Sequence, residues 1–313
     1  MKFSALVAVV VLAGATAADA KPASPQPVRK PYTFVRSVQF DMTSKVNGRH
    51  YRIFVHTPPM PPPAGGYPVL FVTDGNGTFP IAAGQAEIDE VSGGRMILVV
   101  GIGYPTLDAD APLTLRNRDL TPSPPLADQP GVPPDAKPQD FGGSESFYRF
   151  ITEEVRPTIA AAYKVNQMDQ TLYGHSYGGL FTLGVLFHHP NAFRSFVISS
   201  PSIWWNDKEV LKGEAEFSKL VEAGQIAPRI LIEVGSLEET LPNPLPAGLT
   251  EAEFLRDGPR ARMVGNAREL AERLSRLKGG PGYIVRTQVF EAESHISVMP
   301  ASMSRALTFP QRQ

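Results

Sequence analysis

Pro68-Val69-Leu70-Phe71-Val72 is apolar from end to end, and so is Met96-Ile97-Leu98-Val99-Val100. A strand has this pattern when both its faces are buried, which needs helices on both sides of a mostly parallel sheet. Phe196–Ser200 and Ile230–Gly235 repeat the theme. Stretches of helical spacing lie between them: Thr78–Val91, Ser144–Tyr163 (capped by Ser144, with a break expected at Pro157), Leu180–Phe187, Val210–Ala223 and Arg260–Lys278. The last strand is read at Tyr283–Phe290 and a closing helix within Ile296–Phe309. Ahead of the buried runs, Thr33–Met42 and Arg49–Thr57 alternate in period two around Asn47-Gly48, the signature of a hairpin. A hairpin followed by alternating strand and helix predicts a doubly wound α/β domain of eight strands. Ligands bind such sheets beyond the carboxyl ends of the strands.

At one of those ends stands Gly174-His175-Ser176-Tyr177-Gly178, which has the G-x-S-x-G form of a nucleophile elbow. The serine occupies a strained turn between strand and helix, and the small residues two before and two after it let the two elements pass closely. Ser176 is therefore the candidate nucleophile. It needs a base, and in this arrangement the chain order is serine, acid, histidine. Of six histidines, His50 and His56 precede the serine and His175 belongs to the turn. His188 and His189 sit roughly 18 Å along the following helix at 1.5 Å per residue. His295, in the loop after the last strand, is left as the base.

The acid should follow an intervening strand. Glu238 is the first choice, with Glu239, Asp207, Asp257 or no acid at all as alternatives. The oxyanion hole is expected from the backbone N–H of Tyr177 and from Gly75 or Asn76, in the turn read at Asp74-Gly75-Asn76-Gly77.

Composition narrows the alternatives. Formal net charge is −1 with no basic block, so nothing points to nucleic acid. Cysteine is absent, and His188-His189 alone is too few ligands for a metal, so no metal or cofactor is expected. Lys2, the apolar Phe3–Leu12 and Ala18-Asp19-Ala20 have the form of a signal peptide over residues 1–20, too short an apolar run for the ~20 residues of a spanning helix. The competing reading is an uncleaved anchor. Residues 21–31 read as a flexible lead-in and 32–313 as one domain, with a proline-rich, aperiodic insertion at 104–141. Thr240–Pro259 reads as a second loop-rich stretch.

The chain resembles the esterase D-like family of α/β-hydrolases, and within it the trilactone siderophore esterases. The likeness is carried by Val72-Thr73-Asp74-Gly75-Asn76, Arg118-Asp119-Leu120-Thr121-Pro122, Tyr173–Leu180, Ser200-Pro201-Ser202-Ile203-Trp204-Trp205 and Glu293-Ser294-His295-Ile296-Ser297-Val298. It implies an α/β-hydrolase fold and an acyl-enzyme mechanism with Ser176 as nucleophile and His295 as base. The third member is Glu238, or the site is a Ser–His dyad. The implied substrate is a small-molecule ester such as a ferric siderophore trilactone, met by an exported, periplasmic enzyme. Arg116 and Arg118 suit an anionic catecholate–iron complex, or else pair with carboxylates such as Asp119 to pin the insertion. Trp204 and Trp205 are candidates for an aromatic wall, or for simple packing. An acyltransferase and a non-catalytic siderophore binder are the rival functions.

Overall fold

The computed structural model describes residues 31–106, 111–127, 129–130, 132, 136–242, 244–245 and 250–309. The leader read at residues 1–20 and most of the lead-in lie outside them. Phe34–Gln313 is one compact unit. Its sheet contains β1 (Ser37–Thr43), β2 (His50–His56), β3 (Tyr67–Val72), β4 (Leu98–Gly103), β5 (Val165–His175), β6 (Ser195–Ser199), β7 (Arg229–Gly235) and β8 (Ile284–Phe290). The spatial order is β1-β2-β4-β3-β5-β6-β7-β8. The sheet is mixed. β1 and β2 pair antiparallel, as do β2 and β4, and every other pairing is parallel.

The helices are α1 (Gly75–Val91), α2 (Ala111–Leu120), α3 (Ser144–Arg149), α4 (Arg156–Ala162), α5 (Tyr177–His188), α6 (Trp205–Lys208), α7 (Glu214–Glu222), α8 (Glu251–Ala261), α9 (Met263–Ser275) and α10 (Met299–Thr308). A π-helical stretch, Phe150–Val155, joins α3 to α4. Two apolar clusters lie on opposite faces of the sheet. The larger gathers Phe71, Val100, Phe147, Leu180, Trp205 and Ile232, and the smaller packs α1 and α10 against Leu70, Val99 and Tyr173. β3, β4 and β6 are buried along their whole length, as their apolar runs require.

Several boundaries differ from the sequence reading, each for a physical reason. Gly75–Gly77 is the first turn of α1 rather than a turn of its own, because Asp74 takes up the whole change of direction in a left-handed conformation (φ 56°, ψ 40°). Gly101–Gly103 continues β4, since β2 pairs with it to the end. The insertion is not structureless. α2 forms inside it, tied by ion pairs to the hairpin and to the α1 N-terminus, with Leu115 and Leu120 packed on the larger apolar cluster. The second loop-rich stretch contains α8, started by a Thr250–Glu253 capping box. Gly143, not Ser144, holds the N-cap of α3. Arg262, at φ 42°, breaks the helix expected from Arg260 into α8 and α9. Among the described residues no helix is long and apolar enough to cross a membrane.

Candidate active site

Ser176 closes the elbow between β5 and α5 at φ 61° and ψ −119°. A non-glycine residue is strained there, and the surroundings hold it. Its N–H donates to the Ser199 carbonyl at 3.0 Å, and its own carbonyl accepts from Leu180 at 2.9 Å and Ser202 at 3.2 Å. The flanking glycines are needed for space. A Cβ on Gly174 would lie 2.0 Å from the Gly178 carbonyl oxygen, and one on Gly178 would lie 2.5 Å from Thr73 Oγ1. The incoming strand thus passes the first turn of α5 at backbone contact, and α5 in turn lies against the Thr73 side chain just past β3.

The loops after β7 and β8 are tied to each other. Ser236 N–H donates to the Phe290 carbonyl at 2.9 Å and Leu237 N–H to the Glu293 carbonyl at 3.0 Å. This brings Glu238 Oε2 within 2.7 Å of His295 Nδ1. The other carboxylate oxygen, Oε1, accepts from Ser200 Oγ at 2.6 Å and from the Gly235 N–H at 2.7 Å. The Glu238 side chain is fully buried, whereas His295 is 37% exposed and so open to a ligand. The three other candidate acids turn elsewhere. Glu239 accepts from Gly265 N–H at 2.9 Å, Asp257 pairs with Arg256, and Asp207 is exposed.

Tyr177 opens α5 and Gly75 and Asn76 open α1, so their N–H groups have no acceptor within their own helices. Two helix N-termini thus bring orphan donors and the positive ends of their dipoles to the β3–β5 end of the sheet. The Asn76 side chain is committed to structure. It accepts from Tyr104 N–H at 2.7 Å and donates to the Tyr104 carbonyl at 2.9 Å. Only its backbone is left for an oxyanion.

Arg116 grips Asp74 with two parallel bonds, Nε to Oδ1 at 2.7 Å and Nη2 to Oδ2 at 3.0 Å. Its guanidinium lies over the Tyr177 ring, 5.3 Å from the centroid. Burial opposes the Arg116 charge, but the Asp74 carboxylate outweighs it and raises the pKa. Arg118 is exposed and bonds the Gln139 carbonyl. Asp119 pairs with Arg49 at 2.9 Å and accepts from Tyr104 OH at 3.1 Å, so it pins α2 to the hairpin and not to either arginine beside it. Burial lifts its pKa to about 6.

The tryptophans divide. Trp205 is fully buried and packs on Phe141 and Tyr177 with ring centroids at 5.5 and 5.3 Å, so it belongs to the core and forms no ligand wall. Trp204 is half-buried, 6.1 Å from the Tyr177 ring, and its Nε1 meets Met263 Sδ at 3.2 Å. Neither lies on a strand. The segment turns through Asn206, Asp207 and Lys208, all at positive φ. Asn206 Nδ2 donates to Ser123 Oγ at 2.6 Å and the Pro124 carbonyl at 2.7 Å, which staples the insertion beside the site. Beyond Trp204 lies a cleft of about 800 Å³ lined by Leu126, Gln129, Val132, Ala136, Arg256 and Arg260. A tighter apolar cavity of about 220 Å³ sits near His188. It runs along α5 from Leu180 and Phe181 to His188 and His189.

Reasoning from sequence missed the Ser200 bond to Glu238, the Arg116–Asp74 clamp and the His175 ring against His295. Each depends on which strand ends are neighbours, and only for Ser200 did the chain hold a hint, a polar residue ending a buried strand.

The mixed eight-stranded sheet, with an elbow serine and a histidine–carboxylate pair at the carboxyl ends of its strands, defines an α/β-hydrolase-like fold. The chain belongs to the esterase family described as "Putative esterase", whose model matches residues 44–276. It is 36% identical to the ferri-bacillibactin esterase BesA of Bacillus subtilis over 272 residues, 86% of this chain and 87% of that one. It is 35% identical to the siderophore triacetylfusarinine C esterase of Aspergillus fumigatus, over 78% of this chain and 81% of the relative. Among solved structures, the BES protein from Bacillus cereus superposes with a TM-score of 0.75 at 34% identity, covering 91% of this chain and 99% of its own.

Proposed function

We propose that this chain is a serine esterase that hydrolyses siderophore esters through an acyl-enzyme and that it works outside the cytoplasm. The observation that carries the reading is the buried Glu238 carboxylate 2.7 Å from His295 Nδ1, in a loop pair at the same sheet end as the strained Ser176. Ser176 Oγ attacks the ester carbonyl as His295 Nε2 takes its proton. Glu238 keeps the imidazole in the Nδ1–H tautomer and stabilises the imidazolium that forms. The carbonyl oxygen, now negative, is received by Tyr177 N–H and by Gly75 or Asn76 N–H, with the α1 and α5 dipoles behind them. His295 returns the proton to the leaving alcohol. Water, activated by the same base, then releases the acid.

The names of the relatives support a siderophore ester as substrate, a ferric trilactone among the candidates. The cleft beyond Trp204 has the volume for a large ligand, and its wall sets Arg256 and Arg260 beside Asp257, which engages Arg256 as Asp74 engages Arg116. The form of residues 1–20 supports export. Amino-terminal sequencing of the protein recovered from the periplasm should begin at Lys21, whereas an anchor would stay in the membrane fraction with Met1.

The test is a panel of ferric and iron-free trilactone siderophores and simple esters, followed by mass spectrometry. Cleavage by one water per ester bond is expected. Acyl products on added alcohols in place of acid would identify a transferase. Quenching of tryptophan fluorescence with no turnover of any ester would identify a binding protein.

A further inference from the structure

Beneath the site, a row of buried polar side chains runs across three strands where only apolar groups would be expected. His175, Ser199 and Glu233 stand in register on β5, β6 and β7. His175 Nδ1 lies 3.0 Å from Ser199 Oγ, and the Tyr173 hydroxyl is near enough to Ser199 for the serine to oppose the rise of its pKa. Ser302 Oγ on α10 lies 3.3 Å from Tyr173 OH and 2.7 Å from Glu233 Oε2. Tyr173, Ser199, Ser302 and Glu233 have no exposed surface. At the other end, the His175 ring rests against His295, with centroids 4.6 Å apart and planes tilted by 39°, and approaches the His295 backbone. His175 Nε2 is buried with no partner at hydrogen-bond length. The acyl-transfer chemistry proposed above uses none of these groups.

We propose that His175 is a positioning residue for His295, and that the chain Ser199–Tyr173–Ser302–Glu233 sets the ring nitrogen on which His175 carries its proton. Each hydroxyl has one proton and two polar neighbours in the row, so with Tyr173 and Ser199 joined all must donate in the same direction. A protonated Glu233 donates to Ser302, Ser302 to Tyr173, Tyr173 to Ser199 and Ser199 to His175 Nδ1. His175 then carries its proton on Nε2 and presents it to the main chain of the His295 loop. An ionised Glu233 can only accept, so every bond in the row reverses and the His175 proton moves to Nδ1. No proton is gained or lost along the row except at Glu233.

The surroundings favour the first state at neutral pH. Burial lifts the Glu233 carboxyl to about 8, against the pull of Ser302 and of Arg305 on α10, the charged group that faces it. Burial, then His295, then Arg116 on α2 hold His175 well below the ordinary histidine range, so it stays neutral. Burial also raises the Tyr173 hydroxyl, with Glu233 and Asp74 adding to it, so that link does not ionise.

The inference rests on His295 being the base, but its test does not require turnover. Imidazole 15N spectra of the wild type should show neutral His175 protonated on Nε2 from pH 6 to 7.5, moving to Nδ1 as the pH rises past about 8. In Glu233→Gln the amide donates to Ser302 at every pH, and His175 should stay protonated on Nε2 throughout. Esterase kcat should fall at least about fivefold between pH 7.5 and 9.5 in the wild type, with KM little changed, and should not fall in Glu233→Gln. A His175 tautomer that ignores pH in the wild type, or moves equally in both proteins, overturns the proposal. So do superimposable alkaline limbs of kcat. A wild type that hydrolyses no ester would defeat the proposed function, and the spectra would still decide this one.

Discussion

Glu238 accepts three hydrogen bonds, from Ser200, the Gly235 backbone and His295. The first two hold the carboxylate and the third turns the imidazole. Glu238→Gln keeps the shape but can offer His295 a donor where an acceptor is needed, so kcat should fall by about 10²–10⁴ with the melting temperature little changed. Glu238→Ala should lose as much activity and also about 1–3 kcal/mol of stability, because Gly235 N–H and Ser200 OH are left buried without a partner. Chemical denaturation of both variants separates the two effects. At this scale the sequence was partly readable. His295 followed from chain order and distance along a helix. Glu238 was the first choice, but Glu239, Asp207 and Asp257 stayed open, since residue order does not say which way a tight turn aims a side chain. For Arg116, Arg118 and Trp205 the choice between ligand contact and internal pairing or packing stayed open for a related reason. Asp74, the Gln139 carbonyl and the core beside Phe141 are their partners, and all three are distant in sequence.

Two helix starts, at α1 and α5, frame the elbow, and α2 braces one of them. The Arg116–Asp74 pair holds the left-handed residue that turns β3 into α1. Arg116→Lys loses the two-pronged geometry, so the account expects a stability loss of about 1–2 kcal/mol. It also expects lower kcat with KM within twofold, since the Gly75–Asn76 donors shift. A large rise in KM alone would return Arg116 to the substrate. Gly178→Ala is a sharper strike on the same place, because the new methyl group would lie 2.5 Å from Thr73 Oγ1 and 3.3 Å from Asp74 Oδ2. It should cost about 1–3 kcal/mol by overpacking, visible as a lower melting temperature. Strands were the most legible elements, since burial on both faces writes itself into a continuous apolar run. α2 and α8 were not legible. α2 is held by Arg49–Asp119 and Arg116–Asp74, and α8 has no buried residue, with Leu255 57% exposed. α2 carries no apolar stripe that periodicity detects, and α8 has only Phe254 and Leu255 as large apolar residues among charged ones, although the Thr250–Glu253 box marked its start.

Across the whole molecule, buried ionisable groups make stability depend on pH in opposing ways. Glu233 keeps its proton in the folded state up to about 8, whereas the unfolded chain releases it near the ordinary carboxyl value. The folded state therefore binds more protons between those values, and stability declines as pH rises through that window. Asp119, lifted to about 6, acts in the same direction over a narrower range. His175, held below the ordinary histidine value, acts the other way. The unfolded chain takes up a proton below about 6.5 that the folded state refuses, so its contribution is lost toward acid. Glu233→Gln should leave the melting temperature at pH 4.5 nearly unchanged and raise it at pH 8 relative to the wild type. An equal shift at both pH values would contradict the linkage. These groups sit at or under the carboxyl ends of the strands, where the chemistry is also concentrated. The central claim, that Ser176 is the nucleophile of an esterase, is tested most directly by p-nitrophenyl ester hydrolysis, comparing the wild type with Ser176→Ala at neutral pH. Loss of the Ser176 hydroxyl should lower kcat on the order of 10⁶ with the fold intact by circular dichroism, and equal rates for the two proteins would mean that Ser176 is not the nucleophile.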